Sequence, residues 1–294
     1  MSYRHADHAG NFADVLKHAV TAFCVRHLTR KDKPFAVIDT HAGAGAYSLV
    51  EDERAEWRGG IGRLWKVEAP SDAAAFLAPY LEIVEAFSSG LTLEVYPGSP
   101  GIIADLSRPQ DRMVFVERDS SVAAELSTLF GGDSRVRVEL GDGYAALKSY
   151  LPPPERRGLV LVDPTHDDPD EMAAMAAAAK DAFERWPTGT FVFWRPLRDL
   201  WAAERFDVGL AEWLIAEREL AAEKILRADL WVRELESDGS MVGAGVIVVN
   251  PPYGLEAGLL ETLPWLAERL AQGEGAGWRL DGAITDDSLM VDEF

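Results

Sequence analysis

The 294-residue chain has a single cysteine, Cys24, so no disulfide can form within it, and a reducing, cytoplasmic setting is expected. Cys24 lies in "HAVTAFCVRHL", where it reads as a small core residue rather than a nucleophile. Long apolar runs are also missing. No stretch approaches the roughly 18 to 20 apolar residues of a membrane span. The opening "MSYRHADHAG" lacks the apolar segment of a secretory leader. Basic residues are scarce as well: 29 Lys and Arg stand against 49 Asp and Glu, a net charge of −20. Such a balance argues against indiscriminate binding to nucleic acid, which depends on Lys and Arg at phosphates. No internal repeat or low-complexity linker breaks the chain.

The shortage of positive charge is uneven. Residues 1–33 carry six basic against three acidic side chains, a local +3, together with His5, His8, His18 and His27. If any part of the chain meets a phosphate backbone, this segment is the expected place.

Hydrophobic residues make up 48% of the chain, enough for a sizeable core. Asn11 or Asp14 can open a helix running to about Arg30. "FAVIDT" (35–40) reads as a first strand, followed by the small-residue loop "HAGAGAY" (41–47). Residues 48–95 then read as a helical insertion, with "SDAAAFLAPYLEIVEAF" at its centre. Strands follow at 112–118, 135–143, 158–164 and 190–196, separated by helical segments, and two more at 225–235 and 243–252. Seven strands interleaved with helices predict a doubly wound α/β domain. The last two strands are joined by a connection too short for a helical crossover, so they should be antiparallel. The predicted main domain comprises 1–47 and 96–294.

Strand ends carry the chemistry in such folds. The first ends in Asp39 and continues through His41 to Gly43-Ala44-Gly45, the second ends in Glu117, and the third in Gly141-Asp142-Gly143. Small residues let backbone approach a ligand, and an acid after the second strand can accept both ribose hydroxyls. An acid after the third can take the amine of an adenine. "HAGAG" lacks the third glycine of the dinucleotide fingerprint and is not followed by a phosphate-binding lysine. The pattern therefore favours S-adenosylmethionine over a nucleotide phosphate, with Asp39 and His41 at its polar end.

Two loops compete for the transfer step. "NPPY" (250–253) follows the last strand, whose reversed direction puts it on the far edge of the sheet, where it reads as a turn. "DPTH" (163–166) follows the fourth strand. There the Asp163 carboxylate and the Pro164 carbonyl can each accept an N–H of an amine. His166, with a reference pKa near 6.5, offers a flat ring for stacking.

The stretches "SYRHADHAGNFADVLKH" (2–18), "DTHAGAGAY" (39–47), "YPGSP" (96–100) and "GVIVVNPPY" (245–253) resemble the bacterial large-subunit ribosomal RNA adenine-N6 methyltransferases. Members of that family were earlier labelled as proteins for using external DNA. The resemblance spans nearly the whole chain. It implies a Rossmann-like methyltransferase fold, S-adenosylmethionine as cofactor, and an adenine of 23S ribosomal RNA as acceptor. That RNA is expected protein-free or early in assembly, with no metal and a monomeric enzyme. Carried over residue by residue, the resemblance places His18, His41, Ser99, Glu117, Asp142 and Gly143 at the cofactor. Asp163 and Pro164 fall at the target amine. Tyr3 and Arg4 lie near the active site, and Lys17 serves as an RNA contact. The family's loop reads Asp-Pro-Pro-Tyr, whereas this chain has Thr165 and His166 at its third and fourth positions. Two other readings stay open: a site retuned to another amine or nucleic acid, and a catalytically silent cofactor-binding protein.

Overall fold

A computed structural model describes residues 8–49, 55–88, 92–235 and 240–282. Helix α1 (Phe12–Thr29) opens where Asn11 accepts hydrogen bonds from the Ala13 and Asp14 amides, so its start was readable from a capping residue. Strands β1 (Ala36–Asp39) and β2 (Ala46–Ser48) follow, then helix α2 (Ser71–Phe87) and strand β3 (Val95–Pro97). Next come α3 (Ser99–Leu106), β4 (Arg112–Glu117), α4 (Ser120–Phe130), β5 (Val136–Leu140) and α5 (Gly143–Tyr150). The remainder comprises β6 (Gly158–Val162), α6 (Glu171–Arg185), β7 (Thr190–Leu197), α7 (Leu200–Arg218), β8 (Ile225–Trp231), β9 (Gly243–Val249), α8 (Leu255–Leu270) and β10 (Gly277–Gly282).

The main sheet has eight strands in the order β10-β8-β9-β7-β6-β1-β4-β5. Strands β5, β4, β1, β6 and β7 run parallel, and β9 is antiparallel to both β7 and β8. The expected antiparallel hairpin is therefore present. The expected count of seven strands is too low. The eighth, β10, pairs antiparallel with β8, and its short "GWRLDG" sequence lacks the apolar run by which buried strands are recognised. A second, two-stranded sheet pairs β2 with β3, Tyr47 opposite Tyr96. These strands have three residues each and are distant in sequence, too little for a periodicity to reveal.

Apolar clusters fill both faces of the main sheet. One packs α1, α2 and α8 against the sheet, with Leu16, Val20, Tyr80, Leu77 and Leu263 buried. The other packs α6 and α7, with Phe183, Phe191, Phe206 and Leu210. Helix α1 is buried along most of its length, which forces even its polar residues Asp14, Lys17 and His18 to find partners inside the protein. Among the described residues, no helix is long and apolar enough to cross a membrane.

Candidate active site

The chain steps from β1 to β4 and β5 on one side, then returns to place β6 and β7 on the other. The crevice at this reversal, outside the carboxyl ends of the strands, is where open α/β sheets bind ligands. Asp39 ends β1, Glu117 ends β4, and Asp163 directly follows β6. Three acids from distant parts of the sequence thus share one edge.

Backbone crowding explains the glycines here. Gly43 adopts φ +64°, and a Cβ on it would lie 2.2 Å from the Tyr47 hydroxyl oxygen, which accepts from the Ala44 amide at 3.1 Å. At Gly143 a Cβ would come within 2.1 Å of the Thr40 carbonyl. Pairing of β2 with β3 brings Gly98 and Ser99 beside this loop, and the Gly98 amide donates to the Gly45 carbonyl.

Glu117 accepts from the Gly43 amide at 3.0 Å and the Asp119 amide at 2.8 Å. A carboxylate has about four lone-pair sites, so this anchoring leaves acceptor capacity for hydroxyls. Exposed Asp142 caps α5 through the Ala145 amide at 2.8 Å. Asp39 is fully buried, accepting from the Ser99 hydroxyl at 2.6 Å and the His41 amide at 3.2 Å. Burial pushes its carboxyl up to about 7, the Ser99 hydrogen bond opposes this, and the charge of Asp163 adds to it. His41 is held down to about 4 by burial and is therefore neutral near pH 7. Its ring meets the Thr40 hydroxyl at 2.8 Å and the edge of Tyr144 at 5.2 Å between centroids.

Lys17 lies at the centre of the site. Its Nζ is 2.5 Å from Asp163 Oδ2 and 2.7 Å from Asp14 Oδ1, and it sits 5.8 Å from the centre of the Trp194 ring. Burial disfavours its charge, but Asp14 and Asp163 outweigh that and hold its pKa above the ordinary lysine value. With only 3% of the side chain exposed, Lys17 is not presented to an RNA phosphate. The expectation of an RNA contact gives way to an internal one, because α1 carries this residue beneath the surface. His18, also buried, meets the Tyr96 hydroxyl at 2.7 Å, and Tyr96 meets Tyr80 at 2.9 Å. Its other ring nitrogen is 3.9 Å from Asp14. His18 therefore joins a buried polar chain behind Lys17.

On the loop after β6, Pro164 is buried and Thr165 exposed. His166 has φ +55°, in the left-handed region that His enters more readily than most residues. Its ring folds inward, 5.6 Å from that of Trp194, and burial holds its pKa down to about 4. Its Nε2 is buried without a hydrogen-bond partner among the described residues. The imidazole thus lies against Trp194 rather than open to an incoming base. Tyr3 and Arg4 lie outside the described residues.

Asp14, Tyr80, Tyr96 and Trp194 complete the site, and the sequence reading missed them all. Only Asp14 had left a signal, one turn before Lys17. "NPPY" sits at the opposite edge: Asn250, at φ +54°, ties itself to the Pro187 and Gly189 carbonyls, and Tyr253 is 90% exposed.

A doubly wound sheet with acidic acceptors at successive strand ends, and an Asp-Pro turn after the strand across the reversal, defines a Rossmann-like methyltransferase. Residues 32–283 match the family model "Ribosomal RNA large subunit methyltransferase D, RlmJ", and the chain belongs to this family. It is 39% identical to the ribosomal RNA large subunit methyltransferase J of Escherichia coli, over 92% of this chain and 94% of that one. It is 36% identical to the protein of the same name from Haemophilus influenzae, over 96% and 98%. Among solved structures it is similar to protein LPL1258 of Legionella pneumophila, with a TM-score of 0.82 and 31% identity over 94% of this chain and 98% of that one.

Proposed function

We propose that this protein transfers a methyl group from S-adenosylmethionine to the N6 amine of an adenine in 23S ribosomal RNA. The observation that carries the reading is the Asp163 carboxylate, held by buried Lys17 at the end of β6 beside the sheet's reversal. Family membership supports the substrate class.

The residues present fit the cofactor. Glu117 keeps acceptor capacity for ribose hydroxyls, exposed Asp142 can take the adenine amine, and crowded Gly43 and Gly143 keep the backbone low enough to admit a ligand. Charge agrees as well. Among the described residues Asp14, Asp39 and Asp163 cluster round Lys17, and this excess of carboxylates suits a positively charged ligand. When bound, S-adenosylmethionine supplies an activated methyl group on a sulfonium.

The chain's part in transfer is orientation. The lone pair of an exocyclic adenine nitrogen is delocalised into the ring. Asp163 and the Pro164 carbonyl accept its two N–H groups, which draws the lone pair out of conjugation and aims it at the methyl. Lys17 fixes the rotamer of Asp163, so the acceptor is in place before the base arrives. Thr165, exposed, takes no part in this task.

The test is to incubate the protein with S-adenosylmethionine and unmodified, protein-free 23S ribosomal RNA and quantify N6-methyladenosine by mass spectrometry. Product that disappears in Asp163→Ala supports the reading. Full activity in that variant, or product at another nucleotide or position, overturns it.

A further inference from the structure

Helix α7 begins at the same edge of the sheet as the Asp163 turn, because β7 runs parallel to β6. Val162 pairs with Phe193, so Trp194 stands level with Asp163, and β7 continues beyond the end of β6 to Leu197. At about 3.3 Å per residue, Leu197 rises roughly 13 Å above Phe193. There, on the rim, Arg198 and Trp201 are exposed, and Arg205 follows one turn along α7 on the face of Trp201.

Trp201 is 81% exposed, in contrast to Trp186 and Trp194 at 3% and 9%. Among the described residues it has no ring or cation packed against it. Arg198 and Arg205 likewise make no hydrogen bond or ion pair there. The nearby acids are already engaged: Asp199 caps the helix through the Ala202 amide, and Glu204 binds Arg227 and Arg279. Two arginines without a hydrogen bond or ion pair among the described residues thus flank an exposed indole at the mouth of the site. The charge of Arg198 also reaches His166 of the catalytic loop.

We propose that Arg198, Trp201 and Arg205 form a docking platform for single-stranded RNA flanking the target adenine. The indole stacks on an unpaired base and the two guanidinium groups hold its phosphates. This rests on the reading of the protein as an RNA methyltransferase and adds how the strand is gripped. Aromatic stacking with arginine contacts is the chemistry by which unpaired nucleic acid is held without reading its sequence. It also suits an enzyme that must take its base from an unstacked strand.

Steady-state methylation of protein-free 23S ribosomal RNA tests the proposal, alongside binding of a short fluorescein-labelled unpaired RNA and its duplex. Trp201→Ala should raise KM for RNA about tenfold, the range that one stacked base supplies. Its kcat and cofactor affinity should stay unchanged, and Trp201→Phe should recover most of the loss. Arg198→Ser with Arg205→Ser should flatten the dependence of log affinity on log salt by about 1.4, at 0.7 per phosphate of a single strand. Tyr253→Ala, on the opposite edge, is the matched control. Unchanged KM and RNA affinity in Trp201→Ala would overturn the platform while leaving the enzyme reading intact. A defect seen only with ribosomal particles, not naked RNA, would overturn it in favour of a protein partner. Wild type that methylates no RNA would instead defeat the enzyme reading. The labelled RNA then decides the platform: loss of binding in Trp201→Ala supports it, and absence of binding by wild type sinks it.

Discussion

Two groups of buried charge lie on either side of β7 and behave differently. On one side Lys17 sits among Asp14, Asp163 and Asp39. On the other, Arg195, Arg227 and Arg279 interlock with Asp207, Asp229, Glu204 and Asp281. The second group is closed. Arg195 donates to both carboxylate oxygens of Asp207 and, at 2.8 Å, to Asp229, and all three side chains are buried. Each guanidinium meets two or more carboxylates, so the fork geometry is used up inside the protein. The first group is open. Among the described residues one cation meets three acids, Asp39 is held near 7, and the cluster lies at the carboxyl ends of β1 and β6, where the sheet reverses. Buried charge alone therefore does not distinguish a functional site from a structural brace. Place in the fold does, since only the first group lies where the parallel strands reverse direction across the sheet.

Four predictions sharpen that contrast. The largest effect is expected in the closed group. Arg195→Met takes the bidentate partner from buried Asp207, leaving it Arg227 at 3.5 Å, and leaves Asp229 to Arg279 alone, which should lower unfolding free energy by about 3–5 kcal/mol. Denaturant titration measures this, with transfer per folded molecule largely retained. Adding Asp207→Leu should restore part of the stability. If Arg195→Met instead left stability alone and removed transfer, the two groups would have to exchange roles.

Asp163→Ala should do the reverse. Loss of one preorganised polar group typically slows chemistry by about 10² to 10³-fold. Single-turnover methyl transfer should fall on that scale while thermal stability changes little, because Lys17 retains Asp14.

A smaller effect concerns pH. The folded-state pKa of Asp39 is raised above its unfolded value, so its contribution to stability is present at low pH and lost as pH rises through about 7. His41 and His166, lowered to about 4, lose theirs as pH falls from about 6.5 toward 4. Between pH 6.5 and 8 the decline attributable to Asp39 should be about 1 kcal/mol. Asp39→Asn should lack it, and saturating S-adenosylmethionine should reduce it in the wild type. Calorimetry of the cofactor-free protein across that window checks the sign.

His166→Tyr should change least. A bulky residue at φ +55° is less comfortable than His, so a loss of under about 1 kcal/mol is expected. Methyl transfer should be unchanged or faster. A large loss of transfer would mean that the imidazole against Trp194 does more than fill space.

Much of the architecture is legible in the sequence. Asn11 announced α1, the apolar runs at 112–118 and 158–164 announced buried strands, and the short link before β9 announced its reversed direction. Trp201 and Lys17 mark the limit of such reading. Both belong to helices whose patterns gave no sign of what their neighbours would be. Trp201 lies between the strands predicted at 190–196 and 225–235, yet it stands on the rim beside the Asp163 turn.

The sequence by itself determined where α1 and the seven apolar strands lie, which strand ends carry acids, and that Asp163-Pro164 follows a buried strand. Those features depend on capping, periodicity and turn chemistry within a few residues. Only the tertiary structure decided that Lys17 grips Asp163 across 146 positions of chain and that β10 joins the sheet. Each of these depends on which surfaces pack together. A lysine is solvated or buried according to what covers its helix, and nothing within one turn of Lys17 specifies the cover.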